Sequence, residues 1–314
     1  MKDSTSGPRL IALGEAMVMI VPVRAESLAT ANDLRLDVGG AESNVATHAA
    51  ALGVSSAWVG AVGDDFLGER VCRVIEGRGV HVGWVSVDSG AQTGVYFKDP
   101  GRGVLYYRRG SAASRMSPAT VAGVPLEHVE VVHVSGVTPA LSPTCAALID
   151  AVIERVAATD TLLSFDVNHR APLWEPGTAA PTLLTLARRA DVVFVGLDEA
   201  HTLWGCETAH DVRCLLPEPP RLVVKDGDVG ATEFDRSAGT EVTTFVPAIP
   251  TEVVEPVGAG DAFAAGFLAA LMNGADAAGR LGAGHARSHL VLLSTSDFVI
   301  ETQQKHQAPQ QRRE

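Results

Sequence analysis

Residues 255–264 read E-P-V-G-A-G-D-A-F-A and place an acid at the point where a glycine turn becomes a helix. Gly258 and Gly260 leave backbone N–H groups unobstructed, and the alanine-rich run 261–272 predicts a helix. The first N–H groups of a helix lack internal partners and carry positive potential, so they can bind an anion. Asp261 would stand beside that anion and take a proton, as phosphoryl transfer requires, unless it only caps the helix.

The composition excludes several classes of protein. The chain has 314 residues and is 46% hydrophobic, which excludes disorder of the whole chain. Thirty-seven acidic and 25 basic residues give a formal charge of −12, which argues against non-specific nucleic-acid binding. Without C-x-x-C pairing or regular spacing with histidine, the cysteines predict reduced, partly buried thiols and no zinc site. They are Cys72, Cys145, Cys206 and Cys214.

The apolar stretch 10–23 is best interpreted as a strand that enters a core. It contains Gly14 and Glu15 and is shorter than the roughly 20 residues that a membrane-spanning helix needs. No basic segment with a small-residue cleavage site precedes it. We therefore expect a cytoplasmic protein with no membrane partner.

Strand-like apolar runs alternate with helical patterns along the chain. This order predicts one α/β domain over residues 1–300, with a doubly wound, mostly parallel sheet covered by helices. The tail 301–314 is expected to be disordered. The predicted strands are 9–13, 57–62, 131–134, 161–167, 192–195 and 222–224, and the predicted helices are 41–52, 66–78, 142–157 and 181–189.

Two segments, 16–38 and 92–109, interrupt this alternation with polar patterns and no helix between them. The Pro100-Gly101 turn signal in the second segment predicts a hairpin. Together the segments are expected to form a small sheet beside the main domain, either as a lid over a site or as a plain edge extension. The aromatic residues of the hairpin are Tyr96, Phe97, Tyr106 and Tyr107.

Polar side chains follow the predicted strand 161–167, at the sheet edge where open α/β proteins bind ligands. Alternation along an extended chain would place Asp166, Asn168 and Arg170 on one side and His169 on the other. Turn residues also collect after strands, so a plain loop remains an alternative.

Two further strand ends carry candidate residues. Asp198 and Glu199 follow strand 192–195, where a carboxylate can hold Mg²⁺ through water, unless the acids only favour a helix N-terminus. Residues 225–230, K-D-G-D-V-G, could let a nucleotide approach the backbone, although a tight turn fits equally well. Neither a P-loop motif nor G-x-G-x-x-G occurs at a strand end, which weakens both the P-loop and the dinucleotide hypotheses.

Two patterns point to a small polar ligand. Gly39 and Gly40 precede a predicted helix, and Asn44 falls one turn into it, so its amide would face the same space as the glycines. Tyr106 and Arg108 lie two residues apart on a predicted strand, where a phenol and a guanidinium can bind a carboxylated ligand together. A routine loop and a solvated strand face are the alternatives.

Glycine-rich motifs occur in two regions far apart in the chain. Gly39-Gly40-Ala41 with Asn44 and residues 59–68 (V-G-A-V-G-D-D-F-L-G) form the first, and residues 257–263 (V-G-A-G-D-A-F) form the second. They closely resemble the two signature regions of the ribokinase-like (PfkB-type) carbohydrate kinases. Within this family, the chain is similar to the 2-keto-3-deoxygluconate kinases in three stretches, 106–112, 135–142 and 166–170.

The resemblance implies a three-layer α/β/α domain with a β lid, ATP and Mg²⁺ as cofactors, and phosphorylation of the 6-hydroxyl of 2-keto-3-deoxygluconate. It implies that Asp261 is the base, that residues 258–260 (Gly258, Ala259 and Gly260) form an anion hole, and that lid strands pair in a homo-oligomer. Arginines suit a carboxylated sugar because they bind carboxylates in a bidentate way. The sugar acid would contact Gly39, Gly40, Asn44, Tyr96, Tyr106, Arg108 and Arg170, and ATP would contact Asn168, Lys225, Gly227, Gly230, Gly258 and Gly260.

The chain departs from the family pattern in two places. Gly196 replaces the asparagine of an N-x-x-E motif, so only Glu199 remains to position Mg²⁺ through water. His285 and His289 stand where small or amide residues are common. Three alternatives stay open: a fructokinase or other neutral-sugar kinase, a catalytically silent sugar or nucleotide binder, and, less favoured, an NAD-dependent dehydrogenase.

Overall fold

A computed structural model describes residues 7–24, 26–99 and 102–299. The predicted Pro100-Gly101 turn and the tail 301–314 lie outside these residues. The strands are β1 (Leu10–Leu13), β2 (Met17–Pro22), β3 (Leu34–Gly39), β4 (Ser56–Val59), β5 (Ala61–Gly63), β6 (Val80–His81), β7 (Ser86–Asp88), β8 (Val95–Asp99), β9 (Gly103–Tyr107), β10 (Val131–Ser135), β11 (Leu162–Asp166), β12 (Val192–Gly196), β13 (Arg221–Asp226), β14 (Gly230–Asp235) and β15 (Val242–Pro247). The α-helices are α1 (Ala41–Ala51), α2 (Phe66–Gly77), α3 (Pro143–Val156), α4 (Ala179–Ala187), α5 (Leu197–Trp204), α6 (Ala209–Leu215), α7 (Ala259–Met272) and α8 (Ala277–Leu292).

Among the described residues, nine strands form one large sheet in the order β15-β14-β13-β12-β11-β10-β1-β4-β6. The seven strands from β13 to β6 pair in parallel, and β14 and β15 add an antiparallel edge. The mostly parallel, doubly wound sheet expected from the sequence is confirmed. Parallel strands all end at one edge, so the loops after β1, β10, β11, β12 and β13 lie together.

Helices cover both faces of this sheet. Along β1, Leu10 packs into the apolar cluster that contains α1, α7 and α8, and Ile11 packs into the cluster of α3 to α6 on the opposite face. This alternation is the period-two pattern of a strand buried on both sides. The result is a three-layer α/β/α arrangement in which α7 lies beside α1.

The predicted strand 57–62 is in fact two strands in different sheets. β4 belongs to the large sheet, whereas β5 pairs with β7 in a separate two-stranded sheet. Gly60 lies between them, and a Cβ at this position would collide with the Trp58 ring and the Gly14 carbonyl group. The chain therefore changes direction where only glycine fits, which an unbroken apolar run does not reveal.

A small four-stranded sheet, in the order β3-β2-β8-β9, stands apart from the large sheet. It is built from the two segments predicted to form it, and β8 and β9 pair as a hairpin that sets Tyr96 opposite Tyr106. Met17, Met19 and Tyr96 are buried on its inner face, whereas Leu105 and Tyr107 are exposed on the outer face. Both faces of this sheet are thus partly apolar.

The described residues contain no helix long and apolar enough to cross a membrane.

The four cysteines are free thiols, as predicted. Cys145 and Cys206 are buried and Cys72 is half-buried, but Cys214 is exposed, because it lies on the outer side of the short helix α6.

Candidate active site

Two cavities meet at the start of α7. The large cleft has a volume of about 810 Å³, within the roughly 300–1,000 Å³ typical of small-molecule sites. The small pocket, of about 60 Å³, lies under the inner face of the small sheet. Six residues line both cavities and so mark where two ligands would meet: Tyr106, Asn168, Arg170, Val257, Gly258 and Asp261.

The structure brings all but one of the residues predicted for the site to these two cavities. Gly39 lines neither, because its Cα faces the Tyr96 hydroxyl group, and Gly40 lies tightly against the backbone of Glu15. The predicted residues around the large cleft are Tyr106, Asn168, Arg170, Glu199, Lys225, Gly227, Gly230, Gly258, Ala259, Gly260 and Asp261. Those around the small pocket are Gly40, Asn44, Tyr96, Tyr106, Arg108, Asn168, Arg170, Gly258 and Asp261.

Asp261 lies in the first turn of α7 and is 8% exposed. The Asn44 side-chain amide donates a hydrogen bond to its Oδ2 at 2.9 Å, and the Asn168 amide donates to its Oδ1 at 3.3 Å. Burial raises the pKa of Asp261 to about 7, against the lowering effect of the Asn44 hydrogen bond. A carboxylate with such a pKa can exchange a proton near neutral pH.

The two amides reach Asp261 from different elements. Asn44 lies one turn into α1, which packs against α7. Asn168 adopts a left-handed conformation, with φ 36°, directly after β11 ends at Asp166. The extended conformation predicted for residues 166–170 was therefore wrong beyond Asp166, but Asp166, Asn168 and Arg170 do line the same cleft, as expected. His169, which was expected to face away, lines the large cleft.

The start of α7 presents backbone donors to the large cleft. Gly258 precedes the helix with φ 89°, and the Ala262 N–H group donates to the Gly258 carbonyl group at 3.0 Å. The N–H groups of Gly260 and Asp261 come before this first helical bond, whereas Ala259 N–H donates to the Pro256 carbonyl group at 3.3 Å. An anion would thus meet the N–H groups of residues 260 and 261 more directly than that of Ala259.

A lysine adds positive charge beside these donors. A Cβ built on Gly260 would lie 3.4 Å from Lys225 Nζ. The ammonium group also contacts Asp166 Oδ2 at 3.1 Å. Burial opposes the charge of Lys225, but the carboxylates of Asp166 and Glu199 outweigh it and raise the pKa of the lysine. Lys225 is therefore a cation next to the helix start.

Glu199 is held by the backbone. Its Oε1 accepts a hydrogen bond from the His169 N–H group at 2.7 Å, and its Oε2 accepts one from the Gly196 N–H group at 2.8 Å. A side chain on Gly196 would run into the carboxylate of Asp198, which occupies the space that the family's asparagine would need. Burial raises the pKa of Glu199.

The residues present are compatible with a nucleotide and Mg²⁺. Ile249, Val253 and Phe263 give the large cleft apolar walls, and Gly227, with φ 48°, turns the chain at its rim. No group of three or more His, Cys, Asp or Glu side chains within the described ranges forms a ready-made metal site. Mg²⁺ fits nonetheless, because it keeps several waters and binds one or two carboxylates together with phosphates. Asp198 and Glu199 supply such carboxylates at the cleft wall.

The sequence did not reveal a set of charged residues behind the small pocket. Lys98, 2% exposed, pairs with Asp297 at 2.5 Å, and Tyr96 donates a hydrogen bond to the same carboxylate at 2.9 Å. Arg108, predicted to bind a ligand carboxylate, instead pairs with Glu15 at 2.5 Å. The partners are far apart in the chain, and no motif marks them. The only sequence signal for these ion pairs was the presence of charged residues within apolar runs.

One protein-family model matches nearly the whole chain. The model described as "pfkB family carbohydrate kinase" matches residues 8–300. The chain belongs to the PfkB family of carbohydrate kinases. It is 31% identical to a 2-dehydro-3-deoxygalactonokinase of Haloferax volcanii over 93% of each chain. It is also 32% identical to a 2-dehydro-3-deoxygluconokinase of Thermoproteus tenax, over 90% of this chain and 88% of the relative.

Other members of the PfkB family match at similar levels. Fructokinase-1 of Oryza sativa is 31% identical over 82% of this chain and 81% of its own. The crystal structure of a PfkB protein from Polaromonas sp. JS666 superposes with a TM-score of 0.83, at 31% identity over 90% of this chain and 95% of its own. The three-layer fold with a separate small sheet is therefore that of a ribokinase-like sugar kinase.

Proposed function

We propose that this sugar kinase transfers the γ-phosphoryl group of ATP to the terminal hydroxyl group of a sugar acid, with 2-keto-3-deoxygluconate as the substrate. The observation that carries the proposal is Arg170, which lines the small pocket beside Asp261 and, unlike its neighbour Arg108, has no ion-pair partner in the described ranges. A neutral sugar gives such a guanidinium group no charge to bind. The named relatives that act on 2-dehydro-3-deoxy sugar acids support the same substrate class.

In the proposed mechanism, Asp261 takes the proton of the attacking hydroxyl group. The Asn44 and Asn168 amides hold its carboxylate in place. The N–H groups at the start of α7 and the Lys225 ammonium group stabilise the charge on the transferring phosphoryl group. Mg²⁺, when bound near Asp198 and Glu199, would neutralise charge on the ATP phosphates.

The two substrates would bind on opposite sides of Asp261, one at each cavity. The sugar acid would extend from the small pocket into the adjoining end of the large cleft, because about 60 Å³ is less than a six-carbon acid needs. Tyr96, Tyr106 and Asn44 offer hydrogen-bonding groups there, and the residue pair 39–40 permits close packing. ATP would occupy the large cleft, with its phosphates at Lys225, residues 258–260 and Asn168 and its base beyond Gly227 and Gly230. The use of ATP and Mg²⁺ is supported by the structure of a chain of the same fold, named ribokinase II from E. coli, which was solved with both.

A neutral-sugar kinase is the second candidate. The ion pair between Arg108 and Glu15 favours it, because a neutralised guanidinium attracts a carboxylate less strongly. The match to fructokinases favours it as well.

A substrate panel separates the candidates. ADP release with Mg²⁺-ATP would be measured for 2-keto-3-deoxygluconate, 2-ketogluconate, fructose and ribose. We expect the highest kcat/KM with 2-keto-3-deoxygluconate. Preference for fructose would replace the proposal with the second candidate, and an absence of ADP release with every sugar would point to a silent relative.

A further inference from the structure

One buried acid in the wall of the small pocket has no part in the proposed mechanism. Glu15 follows β1 and is 1% exposed. Its Oε2 lies 2.5 Å from Arg108 Nη2, and its Oε1 accepts a hydrogen bond from the Ser111 hydroxyl group at 3.1 Å. Burial raises the pKa of Glu15, and the charge of Arg108 opposes that rise.

Arg108 is fixed in place but not fully bonded. Its side chain is 10% exposed, and its guanidinium lies over the Tyr106 ring, 4.7 Å from the ring centre. Its Nε is buried and has no hydrogen-bond partner among the described residues. A buried donor without an acceptor is costly. The part of the Arg108 side chain that stays exposed lines the small pocket, where a ligand oxygen atom could accept a hydrogen bond from it.

The other charged groups of the pocket show which cation is left for a carboxylate. Asp297 is paired with Lys98, as Glu15 is with Arg108. Arg170 is exposed, forms no ion pair with any residue in the described ranges, and makes only a 3.3 Å hydrogen bond to the carbonyl group of its neighbour His169. Arg170 is therefore the cation of the small pocket without an ion-pair partner in the described ranges, and its charge lowers the pKa of Asp261.

We propose that Glu15 is a specificity-determining residue. By holding Arg108 in an ion pair, it reserves that guanidinium for an uncharged sugar oxygen and leaves the carboxylate of the sugar acid to Arg170. The inference rests on the proposed sugar-acid function. Without the charge of Glu15, two guanidinium groups with no ion-pair partner would line the pocket. The kcat/KM for anionic sugars would then rise relative to that for neutral sugars.

The test compares an acidic and a neutral sugar in the same variants. The measured quantity is kcat/KM for 2-keto-3-deoxygluconate divided by that for fructose, with dissociation constants from calorimetry for any sugar that is not turned over. Glu15→Gln keeps the shape and removes the charge, and we expect the ratio to rise by about tenfold, equivalent to about 1.4 kcal/mol. Glu42→Gln is the matched control, since Glu42 is an equally buried carboxylate that lines neither cavity.

Two more variants keep the test independent of how well Glu15→Gln alone folds: Arg108→Gln, and a double variant that combines Arg108→Gln with Glu15→Gln. Arg108→Gln leaves Glu15 unpaired, so the ratio should fall, and Glu15→Gln with Arg108→Gln should return it to within about twofold of the wild type. Three results would overturn the proposal. They are an unchanged kcat/KM ratio in Glu15→Gln, an equal fall of kcat/KM for both sugars in that variant, and a double variant whose ratio does not return towards the wild-type value. If the wild type prefers fructose, the proposed function fails, but the ratio still reports on Glu15.

Discussion

At the scale of single residues, the surroundings of Asp261 set the pH range in which it could act as the proposed base. Burial raises its pKa to about 7, while the hydrogen bond from Asn44 lowers it. Below that pKa the carboxyl group is protonated and cannot accept the proton of the sugar hydroxyl. We therefore expect kcat/KM for the sugar to fall as the pH drops through about 7.

Asn44→Ala tests the cause of this pKa. The substitution removes the hydrogen bond that favours the charged carboxylate, so the pKa of Asp261 should rise and the acid limb of the profile should move to higher pH. The measurement is kcat/KM for the sugar as a function of pH in both proteins. A limb that stays in place or moves to lower pH would contradict the assignment.

Single residues also show where the sequence was informative. Asp261, Lys225 and Asn168 were found because motifs and strand ends mark positions at one edge of a parallel sheet. Glu15, Lys98 and Asp297 were missed because each is defined by a partner distant in the chain. Tyr96 and Asp297, for example, are 201 positions apart. Such long-range pairing is set by the packing of whole elements, which local patterns do not contain.

At the scale of elements, the start of α7 depends on backbone geometry that favours glycine. Gly258 has φ 89°, and a Cβ there would approach Asp297 Cβ to 3.2 Å. Gly258→Ala should cost about 1–2 kcal/mol of stability through the left-handed conformation alone and should also shift the N–H groups that we propose bind the ATP phosphates. We expect a clear loss of kcat, measured together with the thermal midpoint.

Gly274→Ala is the control at the opposite end of the same helix. Gly274 has φ 76° and no atom close to the added Cβ, so its strain is similar but distant from the site. It should lower stability by a comparable amount and leave kcat unchanged. Equal losses of kcat in both variants would show that Gly258 matters only for folding.

Elements also show why two local predictions failed. The apolar run 57–62 predicts one strand, yet Gly60 divides it between two sheets. The alternation after β11 failed because the strand ends at Asp166 and Asn168 turns left-handed. In both cases packing against the rest of the molecule determines the backbone conformation. The apolar pattern alone cannot predict it, because the pattern is also compatible with a longer strand.

At the scale of the whole molecule, the small sheet combines two roles in our account. Its inner face covers the proposed sugar pocket, and its outer face exposes Leu36, Leu105 and Tyr107. Its edges are β3 and β9, and an edge strand can pair with a strand of another chain. The homo-oligomer that the family resemblance implies would bury this outer face against a second copy.

Light scattering after size exclusion tests this assembly. Leu105→Lys should shift the protein towards the monomer, because it places a charge on the face that the second copy would cover. Val242→Lys is the control, since Val242 is similarly exposed but lies on β15, at the far edge of the large sheet. A wild-type monomer, or equal dissociation by both variants, would refute pairing through the small sheet.

The central claim is that Asp261 is the base of a sugar-acid kinase, and Asp261→Asn tests it most directly. The amide keeps the shape of the side chain but cannot accept the proton of the hydroxyl group. We predict that kcat with 2-keto-3-deoxygluconate falls by about 10²–10⁴-fold, while the thermal midpoint and the dissociation constant of the sugar, measured by calorimetry, stay close to wild type. Phosphorylation at the wild-type rate by this variant would contradict the account.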